Sequence, residues 1–171
     1  PSTSSAASDV YKRQALFTAR RGLIASLGSA LGDLVQGAVA SRETMISSAG
    51  GRALLTQLVE LGVAAGDASS ITAAEKMVGD RNMTLSQGGL RALIHCDDDA
   101  RVRALSAFHD RWQADSLVME KWFQMEAMSS IGGTTARLDE LMAHPSFDPK
   151  NPNKLRAVLG AFMMGNTPGF H

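Results

Sequence analysis

The sequence has little that would tie it to a membrane, a nucleic acid or an oxidising compartment. A single cysteine, Cys96, stands in 171 residues. No internal disulfide can form, and a reducing, cytoplasmic setting is the simpler expectation. No apolar run approaches the roughly 18–20 residues that span a bilayer, so a membrane is not an expected partner. Basic and acidic side chains balance at 17 each, and zero net charge gives no general attraction to nucleic acid or anionic lipid. No segment alternates apolar and polar residues with the period of a strand. Aromatic residues make up only 5% of the chain, so the core should be heaviest where they gather.

Catalytic signatures are missing as well. There is no H-E-x-x-H, no G-x-S-x-G and no G-x-x-x-x-G-K-[ST]. Of the histidines His95, His109, His144 and His171, no two stand four apart, which excludes a zinc pair on one helix face. His95-Cys96-Asp97 has metal-binding letters, but adjacent loop residues point in different directions. Cys96 also lacks a third member for a thiol triad, so this stretch reads as a solvated helix joint. The nine methionines read as core filler. No catalytic residue and no metal ligand is assigned.

What is present is helical periodicity, centred on residues 108–128. Both tryptophans and two of six phenylalanines fall there. One helix should end near Trp112, and Asp115 or Ser116 can cap the next. Val118, Trp122 and Met125 stack at helical spacing with Met119 and Phe123 beside them, leaving only Glu120 and Gln124 clearly polar. A helix so apolar belongs in the interior. Glu126 near its apolar side needs a partner, for which Arg111 and Arg137 are the candidates.

Elsewhere the pattern predicts short helices joined by short loops. Leu16, Leu23, Leu27, Leu31 and Leu34 share one face of a glycine-interrupted helix after Ala15. Further helices are expected over about 52–64, 71–79, 99–112, 134–143 and 152–163, with another opened by a Thr84-to-Gln87 capping box. In the last of these along the chain, Asn151 caps and Pro152 takes the first helical position. Residues 1–14 carry no such periodicity and read as a disordered tail or assembly scar. The expected architecture is all-α, an irregular HEAT-like superhelical array of about eight short helices. Its core should hold Trp112, Leu117, Val118, Trp122, Phe123, Phe147, Leu159 and Phe162.

RNMTLSQGGLRAL, FHDRWQADSLVMEKWFQMEAMS and HPSFDPKNPNKLRAVLGAF with the closing Phe170-His171 together resemble the C-terminal helical domain of bacterial aminopeptidase N. Asn82-Met83-Thr84, Trp112, Asp115, Leu117-Val118, Lys121-Trp122-Phe123, Phe147, Asn151-Pro152-Asn153 and Arg156 fall in order on that family's pattern. The match is dense over residues 80–171, thin over 50–67 and absent before 50. Leu85 and Glu120 stand where the family has Asp, Glu126 stands near a usual Gln, and Lys154 replaces an Arg.

The resemblance implies a parent zinc metallopeptidase of the gluzincin type, removing N-terminal amino acids from peptides. Zinc, its ligands and the G-x-M-E-N substrate loop would lie in a catalytic domain outside this chain. Residues 15–171 would then be part of an α-helical C-terminal domain truncated at both ends, inactive alone and acting as a cap that gates peptide access. The resemblance also places Arg156 and Asn153 in the substrate channel, where a fixed cation meets a peptide carboxylate. The alternative is a free-standing helical-repeat scaffold for protein–protein interaction.

Overall fold

A computed structural model describes residues 4–132 and 134–170, without the side chains of 4–11 and Thr134. Gly133, expected at a helix joint, and His171 lie outside the described residues. The chain runs through α1 (Ser4–Ala30), α2 (Gly32–Ala40), α3 (Arg42–Ile46), α4 (Ala49–Ala64), α5 (Ala68–Val78), α6 (Met83–Leu93), α7 (Asp99–Trp112), α8 (Ser116–Met128) and α9 (Thr134–Met142). It closes with α10 (Pro152–Leu155), a π-helical turn (Arg156–Gly160), α11 (Ala161–Gly165) and α12 (Thr167–Phe170). The fold is all-helical among the described residues, as expected, but holds more and shorter elements than the eight foreseen. The predicted helix over 152–163 is divided by the π turn, and a break at Leu31 separates α2 from α1.

Short polar side chains start these helices. Asp67, Asn82, Asp98, Asp115 and Asn151 each sit in extended backbone and accept one or two N–H groups from the first turn, satisfying donors that a helix leaves free. The Thr84–Gln87 capping box does not form. Asn82 caps α6 by accepting from the Thr84 N–H at 3.0 Å, which places Thr84 inside the first turn. Asp67 caps α5 by accepting the Ser70 N–H, and Ser70 is buried behind it. Gly66 ends α4 with φ +78°, a conformation open to glycine at little cost.

The elements pack as a layered array. α4, α5 and α6 lie against one another, α1, α2 and α3 rest on α4, and α7 leads from α5 and α6 to α8. Gly88 and Gly89 lie buried inside α6. A β-carbon on Gly88 would fall 2.2 Å from Thr56 Cγ2, and one on Gly89 would fall 2.4 Å from the Ala74 carbonyl oxygen. These glycines let α4 and α5 approach the α6 backbone closely.

α8 is the interior helix. It contacts α6, α7, α9, α10, the π turn and α11. Val118, Met119, Trp122, Phe123 and Met125 are buried on it, and Phe162 closes over them from α11. Trp112, Phe147 and Leu159 are half-buried and pack against this core. Leu117 does not belong there: it is 70% exposed. At the first turn of α8 it points away from the Val118–Trp122–Met125 stripe, so adjacency to a core residue misplaces it.

The leucine stripe of the first helix is also turned outward. Leu16, Leu23, Leu27, Leu31 and Leu34 are all exposed, whereas Phe17, Arg21 and Ile24 are half-buried and Gly28 is buried. A β-carbon on Gly28 would fall 2.0 Å from the Leu61 carbonyl oxygen. Close backbone approach of α1 to α4 therefore chooses the inward face ahead of the bulkier leucine side. α1 begins at Ser4, so residues 4–14 run into the same helix as the leucine stripe.

Candidate functional site

Two concavities flank α8. The larger, about 670 Å³, lies between α7, α8 and α9. Its wall carries His109, Trp122 and His144; its polar lining includes Glu126, Arg137 and Asn166. The indole N–H of Trp122 donates to the Leu105 carbonyl at 3.0 Å, fixing the ring that forms the wall. The His109 and His144 rings lie 5.0 and 5.4 Å from the Trp122 ring centroid. Their Nε2 atoms meet at 3.1 Å.

Glu126 is only 5% exposed, and Arg137 is its partner. The guanidinium engages both carboxylate oxygens, through Nε to Oε2 at 3.2 Å and through a second contact to Oε1. It also donates to Glu140 at 2.6 Å. Burial acts against the Arg137 charge, but Glu126 and Glu140 outweigh it and raise its pKa. Arg111, the other candidate, instead donates to the Gly79 and Asp80 carbonyls and lies over Trp112. Glu126 is thus a structural anion that ties α9 to α8 across the cavity.

The second concavity, about 270 Å³, opens between the first half of α8 and α10 with the π turn. Asn153 and Arg156 both line it, with Lys121 and the exposed Leu117. The Asn151 cap places Asn153 at the start of the short helix. Lys154 between them is buried at 2% exposure; its ammonium donates to the Ser116 carbonyl at 2.9 Å and lies 5.3 Å from the Phe123 ring centroid. Burial lowers the Lys154 pKa. This lysine locks α10 to α8, and so holds Arg156, at the start of the adjoining π turn, against the groove. Arg156 is exposed and makes no ion pair among the described residues.

His95 and Cys96 do not form a catalytic pair. His95 Nδ1 faces the Ser130 hydroxyl at 2.9 Å and accepts the Ser130 N–H at 3.3 Å. Burial, with Arg21 and Arg20 nearby, depresses its pKa to about 4, so it is a weak base at neutral pH. Burial, Asp98 and Asp97 raise the Cys96 pKa and keep it a thiol. The depressed His95 carries a stability prediction. Unfolded histidine takes up a proton near pH 6.5 and the folded ring only near about 4, so the unfolded state gains protons first as pH falls. Stability present above pH 6.5 should decline between there and about pH 4, by on the order of 2–3 kcal/mol. Urea unfolding of the native chain and of His95→Asn across this range measures it; the variant should show a flatter pH dependence.

Residue spacing carries no sign of the His109–His144 contact or of Lys154 burial. Both bring together residues more than thirty positions apart, with no motif to connect them.

A family model described as a domain of unknown function (DUF3458_C) with ARM repeats matches residues 1–171. The chain belongs to this family. Aminopeptidase N of Caulobacter vibrioides is 37% identical to it over 91 residues, covering 53% of this chain and 10% of that protein. The Escherichia coli K12 aminopeptidase N is 33% identical over 90 residues, again 53% and 10%. The Haemophilus influenzae aminopeptidase N is 42% identical over 67 residues, 39% of this chain and 8% of its own length. The resemblance to the C-terminal helical domain of bacterial aminopeptidase N therefore holds, although this ARM-repeat domain matches only about a tenth of each relative. Among the described residues no three His, Cys, Asp or Glu side chains are grouped so as to hold a metal. No single described helix is long and apolar enough to cross a membrane; α1 and α2 pass that test only as a pair bent by 69°.

Proposed function

We propose that this ARM-repeat domain is part of the helical cap of a cytoplasmic zinc aminopeptidase, restricting which peptides reach an active site in a separate catalytic domain. The reading rests on the relatives' names and, for the cap role, on one observation: Asn153 and Arg156, which makes no ion pair among the described residues, share a groove. A guanidinium there can grip a peptide carboxylate with two parallel hydrogen bonds. In this reading the zinc ligands belong to the catalytic domain, and this domain contributes binding and access. Residues 1–14 enter this proposal as a segment outside the cap, and 15–171 as part of it.

The test is Arg156→Ala in the complete enzyme. Loss of a charge-assisted contact of about 1.5 kcal/mol should raise KM for short peptides with a free C-terminus roughly tenfold. The KM for an amino-acid anilide, which has no carboxylate, should not change. Equal kinetics on both substrates would remove the channel role.

A scaffold function has an observation in its favour too, the outward leucines of α1 and α2, since exposed apolar stripes mark contact surfaces. A cap needs such a surface against its catalytic domain. A scaffold needs it for a separate protein, and would show no kinetic effect of Arg156 in any parent.

A further inference from the structure

We propose that His109 and His144 form a proton-operated latch, which holds the end of α9 and the segment behind it against α7 when both rings are neutral and releases them when the pair takes up a proton. This rests on the cavity geometry and stands independently of the aminopeptidase reading.

The hydrogen bonds determine where the protons sit. The Ser146 N–H donates to His144 Nδ1 at 3.1 Å, so that nitrogen carries a lone pair. His144 must then hold its proton on Nε2 and donate it to His109 Nε2, 3.1 Å away. His109 in turn holds its proton on Nδ1, facing the Asp110 carboxylate at 3.2 Å. All three contacts are satisfied by one arrangement of two neutral imidazoles. The same arrangement leaves no free lone pair between the rings for a bridging metal, because both Nε2 atoms are engaged in one hydrogen bond.

A further proton cannot be added without breaking a contact. If His109 becomes doubly protonated, its Nε2–H confronts the Nε2–H of His144. If His144 yields by moving its proton to Nδ1, that N–H confronts the Ser146 N–H. Either the bond from α7 to the segment after α9 or the bond that folds the 144–146 turn is lost.

The surroundings decide which way the pair leans. Asp110 on α7 faces His109 Nδ1. Arg137 on α9 and Lys154 on α10 oppose a charge on His144, as do burial and His109 itself, and its pKa is lowered accordingly. Glu126 on α8 and Glu140 on α9 line the same cavity, but both are engaged by Arg137. Arg101 on α7 adds a further cation at the rim. Glu120 on α8 acts on Lys154. The aromatic faces of Trp122 and Phe123, 5.4 and 5.3 Å from His144, hold the ring in place while it is neutral. After release α9 is still held by the buried Leu141, by Leu138 packed on the core and by the Arg137–Glu126 pair.

The experiment is nitrogen-detected NMR of the histidine rings in the full chain, with amide exchange of residues 141–147 followed from about pH 7.5 to about pH 5.5. Near pH 7.5 the expected tautomers are Nε2–H for His144 and Nδ1–H for His109. On acidification, protection factors over 141–147 should fall at least about tenfold more than those of α4 to α6. His144→Asn offers an acceptor for the Ser146 N–H but cannot titrate, and should reduce that difference to less than about twofold. Should His144→Asn not fold, His109→Gln, whose amide oxygen can accept from His144, serves the same comparison. His109 found with its proton on Nε2 would overturn the latch. So would acid-sensitive exchange that persists in the folded variant, or exchange over 141–147 that never departs from that of α4 to α6.

Discussion

Phe123→Ala is expected to destabilise the domain by about 3–5 kcal/mol, the largest effect of any single substitution considered. The ring is fully buried at the centre of α8. It meets Trp122, His144 and Phe147 edge to face at centroid distances of 5.3, 5.3 and 6.1 Å, with the Lys154 ammonium on another side. Three segments, α8, the stretch after α9 and α10, therefore lose a common contact when it is truncated, and a void of that size refills poorly in a close-packed interior. Marginally stable domains have about 5–15 kcal/mol in total, so the variant should unfold at much lower urea. Phe123→Leu keeps most of the volume and should cost about 1–2 kcal/mol. Urea unfolding followed by circular dichroism gives both numbers. A loss under about 1 kcal/mol for the alanine variant would mean that α8 is not the centre of the core.

Arg137→Met is the second large effect, with an expected loss of roughly 2–4 kcal/mol. It leaves Glu126, 5% exposed, without a counter-charge. The value lies below that of a fully enclosed pair because Arg137 is 40% exposed and the cavity lets water reach the carboxylate. Glu126→Gln should be milder, about 1 kcal/mol, since a neutral amide still accepts from the guanidinium. The double variant Glu126→Leu with Arg137→Met should recover most of the single-variant loss, as expected when a desolvated pair is replaced by apolar contacts. A double-mutant cycle in urea measures the coupling. Strict additivity of the two changes would contradict the pairing.

Much of the fold was legible in the residues because local chemistry decided it. Asp115 and Asn151 cap helices where their letters say they should, and Val118, Met119, Trp122, Phe123 and Met125 at helical spacing mark α8 as interior. The Glu126 partner was narrowed to two arginines, and the structure selects Arg137. Features set by tertiary approach were not legible. The outward turn of the α1 leucines follows from how closely Gly28 lies against Leu61, and nothing in the spacing of residues 16–34 reveals that. Gly88-Gly89 looks like punctuation, but serves as a packing surface for α4 and α5. Leu117 carries a core letter beside a core residue and still faces outward. Asn153 and Arg156 enter the proposal from family resemblance, since an exposed arginine at the start of the π turn has no local signature. The His109–His144 contact arises only when α7 and the segment after α9 meet.

The cap proposal is tested most directly by reading the coding sequence upstream of residue 1 in the source gene. The prediction is an in-frame H-E-x-x-H with a distal glutamate and a G-x-M-E-N loop, the parts of the zinc peptidase site that these helices do not supply. An open reading frame that starts next to this domain and carries no such motif would contradict the proposal, and would leave a helical scaffold with the family's fold and none of its chemistry.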